Sequence, residues 1–167
     1  MTEVSSYHTL KDLLNHPQFL EGEFWQRRNF QENEMVIVEG EVNKEIFVIL
    51  SGQVFVCTDV KIADNNKMQS GLCELFEGEE FAHSCFFDDE PHSASVKTVK
   101  TSELAVIDAI KLKQFLDQYP KIGYQILNHW MGLILPRVRQ GNKRFVNLFS
   151  WGLRAHKIES NIGMEIL

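Results

Sequence analysis

Hydrophobic and polar positions divide the chain into a short helical start, a long middle with β-type patterning and a helical end. A short helix is predicted over residues 9–15, because three leucines share one face and Thr9 can cap it. From Phe24 to about Asp108 the helical period is absent, and short apolar runs between glycine-containing turns indicate strands. The predicted strands are residues 35–38, 46–50, 53–57, 72–76, 93–99 and 104–107, with Ser51 and Gly52 as a hairpin turn. Strands this short and closely spaced are typical of an antiparallel sandwich or roll.

The helical period returns after Asp108. Residues 109–118 predict one helix that stops before Pro120. A second helix follows with an apolar stripe at helical spacing, made of Leu127, Trp130, Met131, Ile134, Leu135 and Val138. Pro136 lies within this stripe and is expected to kink or end the helix. A long apolar stripe on a terminal helix indicates a homodimer seam, and packing back onto the strands is the alternative.

Composition limits the class of protein. With 167 residues, 44% of them hydrophobic, the chain is long enough for one compact domain with its own core. Three cysteines without a CxxC pair favour free thiols in a reducing cytoplasm. The apolar runs are too short for a membrane span, and no signal peptide is expected. Four segments are predicted: a helical start over 1–20, a β-roll over 21–109, helices over 110–148 and a basic, apolar tail over 149–167.

Charge is distributed unevenly along the chain. Residues 1–117 hold 10 of the 17 basic and 21 of the 23 acidic side chains, so residues 118–167 are net basic. Near the end, Phe145, Leu148, Phe149 and Leu153 recur at helical spacing among basic groups, which predicts an amphipathic segment. This basic end could bind a protein partner, an anionic membrane surface, nucleic acid, or the protein's own acidic body or dimer interface.

Several short motifs occur in a characteristic order. They are a turn at Glu39-Gly40, an apolar run ending in Ser51-Gly52, the string Gly78-Glu79-Glu80-Phe81, and Pro91-His92-Ser93-Ala94-Ser95-Val96. Together they resemble the cyclic nucleotide-binding domain of the catabolite-activator (CRP/FNR-like) regulators and of cyclic-nucleotide-dependent kinases, over residues 21–139. The resemblance implies a mostly β fold with flanking helices: an antiparallel double-stranded β-helix, or jelly roll, with an N-terminal helix and C-terminal helices. It also implies a stand-alone sensory or regulatory module rather than an enzyme.

The resemblance further implies a phosphate-binding cassette between Gly78 and Val96. Its ligand-binding residues would be Gly78, Phe81, Ala82, His83, Ser84, His92, Ser93 and Ala94. In the family a glycine and a glutamate begin a short helix whose N–H groups face the cyclic phosphate, and an arginine after the proline binds the phosphate oxygens. This chain has Ala82, His83 and His92 at those three positions, and residues 88–90 are all acidic. We therefore expect ordinary cyclic AMP binding to be weakened or lost, with a cyclic nucleotide or another small anion as the ligand class.

Other functions fit the same residues. A haem-binding gas sensor on this fold would use His83 and Cys85, whereas an oligomerising interaction protein would retain only a vestigial pocket. The ligand spacing does not favour structural zinc, and no nucleophile motif or nucleotide-binding loop predicts catalysis. Apart from haem in that alternative, no cofactor is predicted. Direct DNA binding is not expected either, since few residues follow Arg144 and a helix-turn-helix domain needs more.

Overall fold

A computed structural model describes residues 7–62 and 66–155 of the chain. Its elements, in chain order, are helix α1 (Leu10–Leu13), strands β1 (Trp25–Phe30), β2 (Met35–Ile37), β3 (Glu45–Ile62), β4 (Asn66–Phe76) and β5 (Glu80–Phe81), a 3₁₀ helix (His83–Phe86), strand β6 (Ser95–Asp108), and helices α2 (Ala109–Gln118) and α3 (Pro120–Ala155). The chain divides into two compact units, with the boundary between Ile126 and Leu127. Of the predicted tail, residues 149–155 continue α3, and residues 156–167 lie outside the described part.

The strands of the described residues form one antiparallel sheet. Its main order is β1-β6-β3-β4, while β2 also pairs with β6 and β5 pairs with β3. The two longest strands, β3 and β6, each pair with three others and therefore connect the parts of the roll. The predicted mostly β jelly roll with helices at both ends is confirmed.

The predicted hairpin turn at Ser51 and Gly52 is wrong. Both residues lie inside β3, where the register against β6 shifts between Ile49 and Val54. Gly52 has a φ of +105°, and a Cβ at this position would overlap the side chain of Ser102. The glycine therefore permits an irregularity within a continuous strand pair, not a chain reversal.

Other strand boundaries also differ from the prediction. Residues 93–99 and 104–107 were predicted as separate strands, but they largely belong to β6. Strands β1 and β5 were not predicted, and β1 carries polar residues in place of an apolar run. Two ion pairs explain its polarity: the Arg28 guanidinium donates to both Glu45 carboxylate oxygens at 3.1 and 2.6 Å, and Arg27 pairs with Glu103 at 2.9 Å. The pair of Arg27 and Glu103 joins β1 to its neighbour β6 and supports their pairing without apolar side chains, whereas Arg28 reaches β3, the next strand beyond β6.

The core of the roll is a cluster of apolar side chains from five strands and their neighbours. Its buried members are Ile37, Phe47, Ile49, Val54, Leu75, Phe81, Val96, Leu104 and Val106. Burying this surface is the main favourable term in folding. One member, Phe81, belongs to the predicted cassette, so the core and the candidate site share a side chain.

The start of α1 agrees with the cap expected at Thr9. The Thr9 hydroxyl accepts a hydrogen bond from the Asp12 N–H at 3.1 Å, and the Asp12 carboxylate accepts from the Thr9 N–H at 3.0 Å. Helix α1 ends at Leu13, earlier than predicted, whereas α2 has the predicted bounds. Helix α3 passes through Pro136 without ending there. Gly132, four residues earlier, has no side chain to add to the crowding by the proline ring.

Candidate functional site

The first part of the cassette is a tight turn followed by a short buried strand. Gly78 has a φ of +87°, a conformation that favours glycine, and its N–H donates to the Ile49 carbonyl at 2.8 Å. Phe81 follows in β5 and stacks on Phe47 with the ring centroids 5.0 Å apart. The Phe81 ring therefore fills the core of the roll.

Ala82 connects β5 to the 3₁₀ helix in a left-handed backbone conformation. Its φ and ψ are 66° and 30°, a region where the Cβ of most residues is crowded by the backbone. Glycine adopts this conformation most easily. The alanine thus takes up the kind of backbone conformation that glycine would favour at this cassette position.

His83 and Glu80 form a buried pair next to α1. Their side chains are 8% and 3% exposed, and His83 Nε2 lies 3.4 Å from Glu80 Oε1. The other carboxylate oxygen of Glu80 accepts a hydrogen bond from the Leu10 N–H at 3.0 Å. Because N–H groups in the first turn of a helix need acceptors from outside the helix, Glu80 ties the start of α1 to the cassette.

Cys85 is buried at the other side of the 3₁₀ helix. Its Sγ donates to the Ala82 carbonyl at 3.1 Å and contacts the Glu45 carbonyl at 3.5 Å. Burial raises the pKa of the Cys85 thiol to about 11, although the Lys44 charge opposes this shift. The side chain is therefore a neutral thiol near pH 7, held by contacts within the domain.

His92 marks the second part of the cassette and is also buried. Its backbone N–H donates to the Glu41 carbonyl at 2.9 Å, and its carbonyl accepts from the Gly40 N–H at 2.9 Å. The ring Nε2 has no hydrogen-bond partner among the described residues. Burial lowers the pKa of His92, with Glu41 opposing the shift, so the imidazole is mainly neutral near pH 7.

The connection between β2 and β3 contacts both parts of the cassette. Near its start, Gly40 and Glu41 bind the His92 backbone, as described above. At its end, the Lys44 ammonium donates to the carbonyls of Cys85 and Asp88 at 3.0 and 2.6 Å. Sequence reasoning missed Lys44 as well as Glu80, because both contacts depend on residues far away in the chain. No local signal distinguishes Lys44 from the charged residues around it.

The exposed part of the cassette is acidic. Ser84 and Ser93 are exposed and Ala94 is half-buried, so these three residues remain accessible. The segment 77–96 contains no lysine or arginine, and residues 88–90 are exposed acids. Lys44 lies 2.5 Å from the Asp89 carboxylate and lowers the pKa of Asp89. This one ion pair compensates only part of the negative charge that an anionic ligand would meet.

A cleft of about 440 Å³ lies outside the cassette. It is lined by residues of β1, the start of β3 and α2, among them Trp25, Lys44 and Lys111, and includes none of the predicted site residues. Within residues 7–62 and 66–155, no group of three or more His, Cys, Asp or Glu side chains could hold a metal ion. In the same residues no helix is both long and apolar enough to cross a membrane.

The predicted dimer residues lie on α3 with unequal exposure. Met131 and Val138 are each 53% exposed, Leu135 is 44% and Leu127 is 39% exposed. Ile134 is half-buried. Trp130 is only 1% exposed in the single chain and therefore offers almost no surface to a second copy.

The arrangement of the strands and the cassette agrees with the protein family that the sequence matches. The family model of the cyclic nucleotide-binding domain matches residues 27–119, which include every strand that pairs with β3 and the whole cassette. The chain belongs to the cyclic nucleotide-binding domain family. The coarse function that follows is that of a sensory or regulatory module.

Solved structures of similar fold come from several bacteria. The catabolite activator protein of Thermus thermophilus is 20% identical with a TM-score of 0.63, over 75% of this chain and 55% of that one. A cyclic nucleotide-binding domain from Methylobacillus flagellatus is 22% identical with a TM-score of 0.63, over 86% and 71%. The c-di-GMP-responsive global regulator CLP of Xanthomonas campestris is 19% identical with a TM-score of 0.58, over 72% and 59%. At such identities these likenesses concern the fold alone.

The chain spans about half the length of the Thermus catabolite activator. A comparison with curated protein sequences gave no match.

Proposed function

We propose that this protein is a ligand-responsive regulatory module in which ordinary cyclic AMP recognition is weakened or lost. The observation that carries the proposal is the buried, mainly neutral imidazole of His92 at the position that the family gives to a phosphate-binding arginine. An arginine presents two parallel N–H donors and a permanent charge to a phosphate, whereas a neutral imidazole offers one donor and no charge. Loss of a charged hydrogen bond costs about 1.5–3 kcal/mol, equivalent to about a 10- to 100-fold loss of affinity.

The first part of the cassette supports the same proposal. In the family, a glutamate at the position of His83 accepts a hydrogen bond from the ribose. Here the ring is buried, with Nε2 3.4 Å from the Glu80 carboxylate. Both charged groups that recognise the cyclic nucleotide are thus replaced, and both replacements are buried. A ligand of this module would contact the exposed hydroxyls and backbone around Ser84 and Ser93.

Isothermal titration calorimetry with cyclic AMP, cyclic GMP and c-di-GMP tests this function. c-di-GMP is included because one structural relative responds to it. We expect cyclic AMP and cyclic GMP to bind with dissociation constants above about 1 µM, because the lost charged hydrogen bond weakens affinity by about 10- to 100-fold. Sub-micromolar binding of cyclic AMP by the unaltered protein would contradict the proposal.

A restoring substitution makes the test sharper. His92→Arg returns the guanidinium and should raise cyclic AMP affinity by about 10-fold or more, because it restores a charged hydrogen bond. His92→Gln is the matched variant without charge and should leave the affinity low. His8→Arg adds the same charge at an exposed site and should also leave it low. Thermal unfolding of each variant establishes that the fold is kept.

The proposed output of the module is its C-terminal helix. A ligand can shift the helix only if it binds two arrangements with different affinities. The exposed apolar residues of α3 between Leu127 and Val138 are the surface that we assign to a homodimer seam. Light scattering should give a dimer mass that Met131→Glu with Leu135→Glu reduces to that of a monomer. Gln140→Glu adds a negative charge outside the stripe and should leave the dimer intact.

A further inference from the structure

Helix α3 carries a second set of apolar side chains beyond the proposed dimer seam. We call residues 143–153 the terminal segment. Its large apolar side chains with exposures from 57% to 70% are Phe145, Val146, Leu148, Phe149 and Trp151. A surface of this size is unusual on a protein in water and marks a place where another surface binds.

The terminal segment is amphipathic. Phe145, Leu148 and Phe149 are spaced i, i+3 and i+4, so they share one side of the helix. Lys143, Asn147 and Ser150 are spaced i, i+4 and i+7 and form the opposite, polar side. Trp151 follows Arg144 by two turns and therefore lies at the border of the two sides. A wide apolar side, basic groups and a tryptophan at the border are typical of helices that lie in a membrane interface.

The charge of the segment selects the kind of surface. The terminal segment contains Lys143 and Arg144 and no acid, and it lies in a longer stretch, between Asp117 and Glu159, that has seven lysines and arginines and no aspartate or glutamate. A positively charged helix is attracted to a negatively charged surface, and anionic lipid headgroups form such a surface at high charge density. The terminal segment is therefore complementary to an anionic bilayer in both charge and hydrophobicity.

A second copy of the segment fits this surface less well. If the spacing of Leu127, Met131, Ile134 and Val138 continues, the next four seam positions are Gly141, Phe145, Leu148 and Gly152, so two of the four have no side chain to pack. A paired segment would also bring its basic groups together without acidic partners, and such like-charge pairs are destabilising. The terminal segment thus differs from the stripe that we assign to the dimer, because glycines interrupt its seam and its basic groups have no acidic partners.

We propose that the terminal segment docks the protein on an anionic membrane surface, with Phe145, Leu148 and Phe149 entering the interface. The proposal goes beyond the ligand-responsive function and does not rest on it. Binding is peripheral, because the helix lies in the plane of the interface and does not cross the bilayer.

Tryptophan fluorescence and vesicle co-sedimentation of the full chain test the proposal. The chain has three tryptophans, and Trp25 and Trp130 are 7% and 1% exposed whereas Trp151 is 70% exposed. We expect co-sedimentation with vesicles of phosphatidylcholine containing phosphatidylserine, and weaker binding to phosphatidylcholine alone. The same vesicles should shift the emission to shorter wavelength, and Trp151→Phe should remove this shift while binding persists.

Matched variants separate the apolar and the charged contributions. Leu148→Ser with Phe149→Ser should lower vesicle affinity by at least about tenfold, because both side chains lose burial in the interface. Ile110→Ser with Val42→Ser removes apolar residues elsewhere that are 56% and 57% exposed, and it should have no effect. Lys143→Gln with Arg144→Gln should lower binding to anionic vesicles, whereas Lys100→Gln with Lys113→Gln should not.

Three outcomes would overturn the proposal. The first is that the protein binds anionic and uncharged vesicles equally well, or binds neither. Another is unchanged vesicle affinity in the Leu148 and Phe149 variant. The third is a protein whose oligomer, measured without vesicles, is lost in that variant, because a second copy would then cover the segment.

Discussion

The cassette and the terminal segment contain similar side chains in opposite surroundings. In the cassette, Phe81, His83 and Cys85 are buried and contact other parts of the domain. In the terminal segment, Phe145 and Phe149 are 69% and 57% exposed on the apolar side of α3. Residue type thus identifies a region that could carry chemistry, whereas burial decides whether its side chains serve the fold or remain available for binding.

The largest effect should come from exchanging an aromatic ring in each region for alanine. Phe81→Ala removes the ring that stacks on Phe47 and leaves a cavity in the core, which should cost about 3–5 kcal/mol of the free energy of unfolding. Phe149→Ala removes an exposed ring and should change this free energy by about 0.5 kcal/mol or less. Urea denaturation of both variants measures the two values. Equal losses would show that the two regions do not differ in the way described.

The Glu80 carboxylate should give the next largest effect. Glu80→Ala leaves the Leu10 N–H without its acceptor and removes the partner of His83, so we expect a loss of about 1–3 kcal/mol. Its neighbour provides a matched control, because Glu79 is exposed although its carboxylate also accepts a backbone N–H, from Phe76, at 2.7 Å. Glu79→Ala should cost less, since water can replace the exposed carboxylate. If urea denaturation showed a larger loss of unfolding free energy for Glu79→Ala than for Glu80→Ala, the buried hydrogen bond from Leu10 to Glu80 would not stabilise the protein as described.

The contrast between Glu79 and Glu80 also shows how far the structure could be predicted from the sequence. The assignment of ligand-binding residues to the cassette stays a prediction, whereas periodicity and the order of the motifs predicted the roll, the cap at Thr9 and the bounds of α2. Each of these depends on local pattern or on backbone conformations that a few residue types favour. The burial of Glu80 could not be predicted, because a charged residue beside Glu79 in a turn suggests an exposed position.

Gly52 and Lys44 illustrate the same limit. The Ser51-Gly52 pair has the local chemistry of a hairpin, but the close approach of Ser102, about fifty residues later, places the glycine within a strand. Lys44 contacts two carbonyls near the end of the 3₁₀ helix, some forty residues away in the chain. Contacts over such separations require the fold, and the candidate site is built largely from them.

His92 allows a test of burial by pH. Because burial lowers the pKa of this imidazole below 6.5, the unfolded chain binds more protons at His92 than the folded protein does. The free energy of unfolding should therefore fall as the pH is lowered through about 6.5 towards the lower pKa of the folded state. His92→Gln should make this decline less steep in urea denaturation at several pH values. Burial also lowers the pKa of His16, so His16→Gln is measured alongside to separate the two contributions.

Unchanged pH dependence in His92→Gln would place the imidazole in contact with water. That result would also weaken the proposal that this position has lost phosphate recognition, since an accessible imidazole could protonate beside an anion.

The cysteine thiols provide the comparison with the smallest expected effect on stability. Buried and exposed thiols can be compared by their reaction rates in the folded protein. Cys73 is exposed on β4, whereas Cys57 and Cys85 are buried. The thiolate is the reactive form, and the pKa of about 11 at Cys85 keeps that form scarce at pH 8. At this pH we expect a thiol reagent to modify Cys73 rapidly and the other two cysteines only after unfolding, as measured by peptide mass spectrometry. Cys73→Ser should abolish the rapid phase. Early modification of Cys85 would contradict its burial, because it would mean that the cassette opens to solvent and that Cys85 loses its contacts with Ala82 and Glu45.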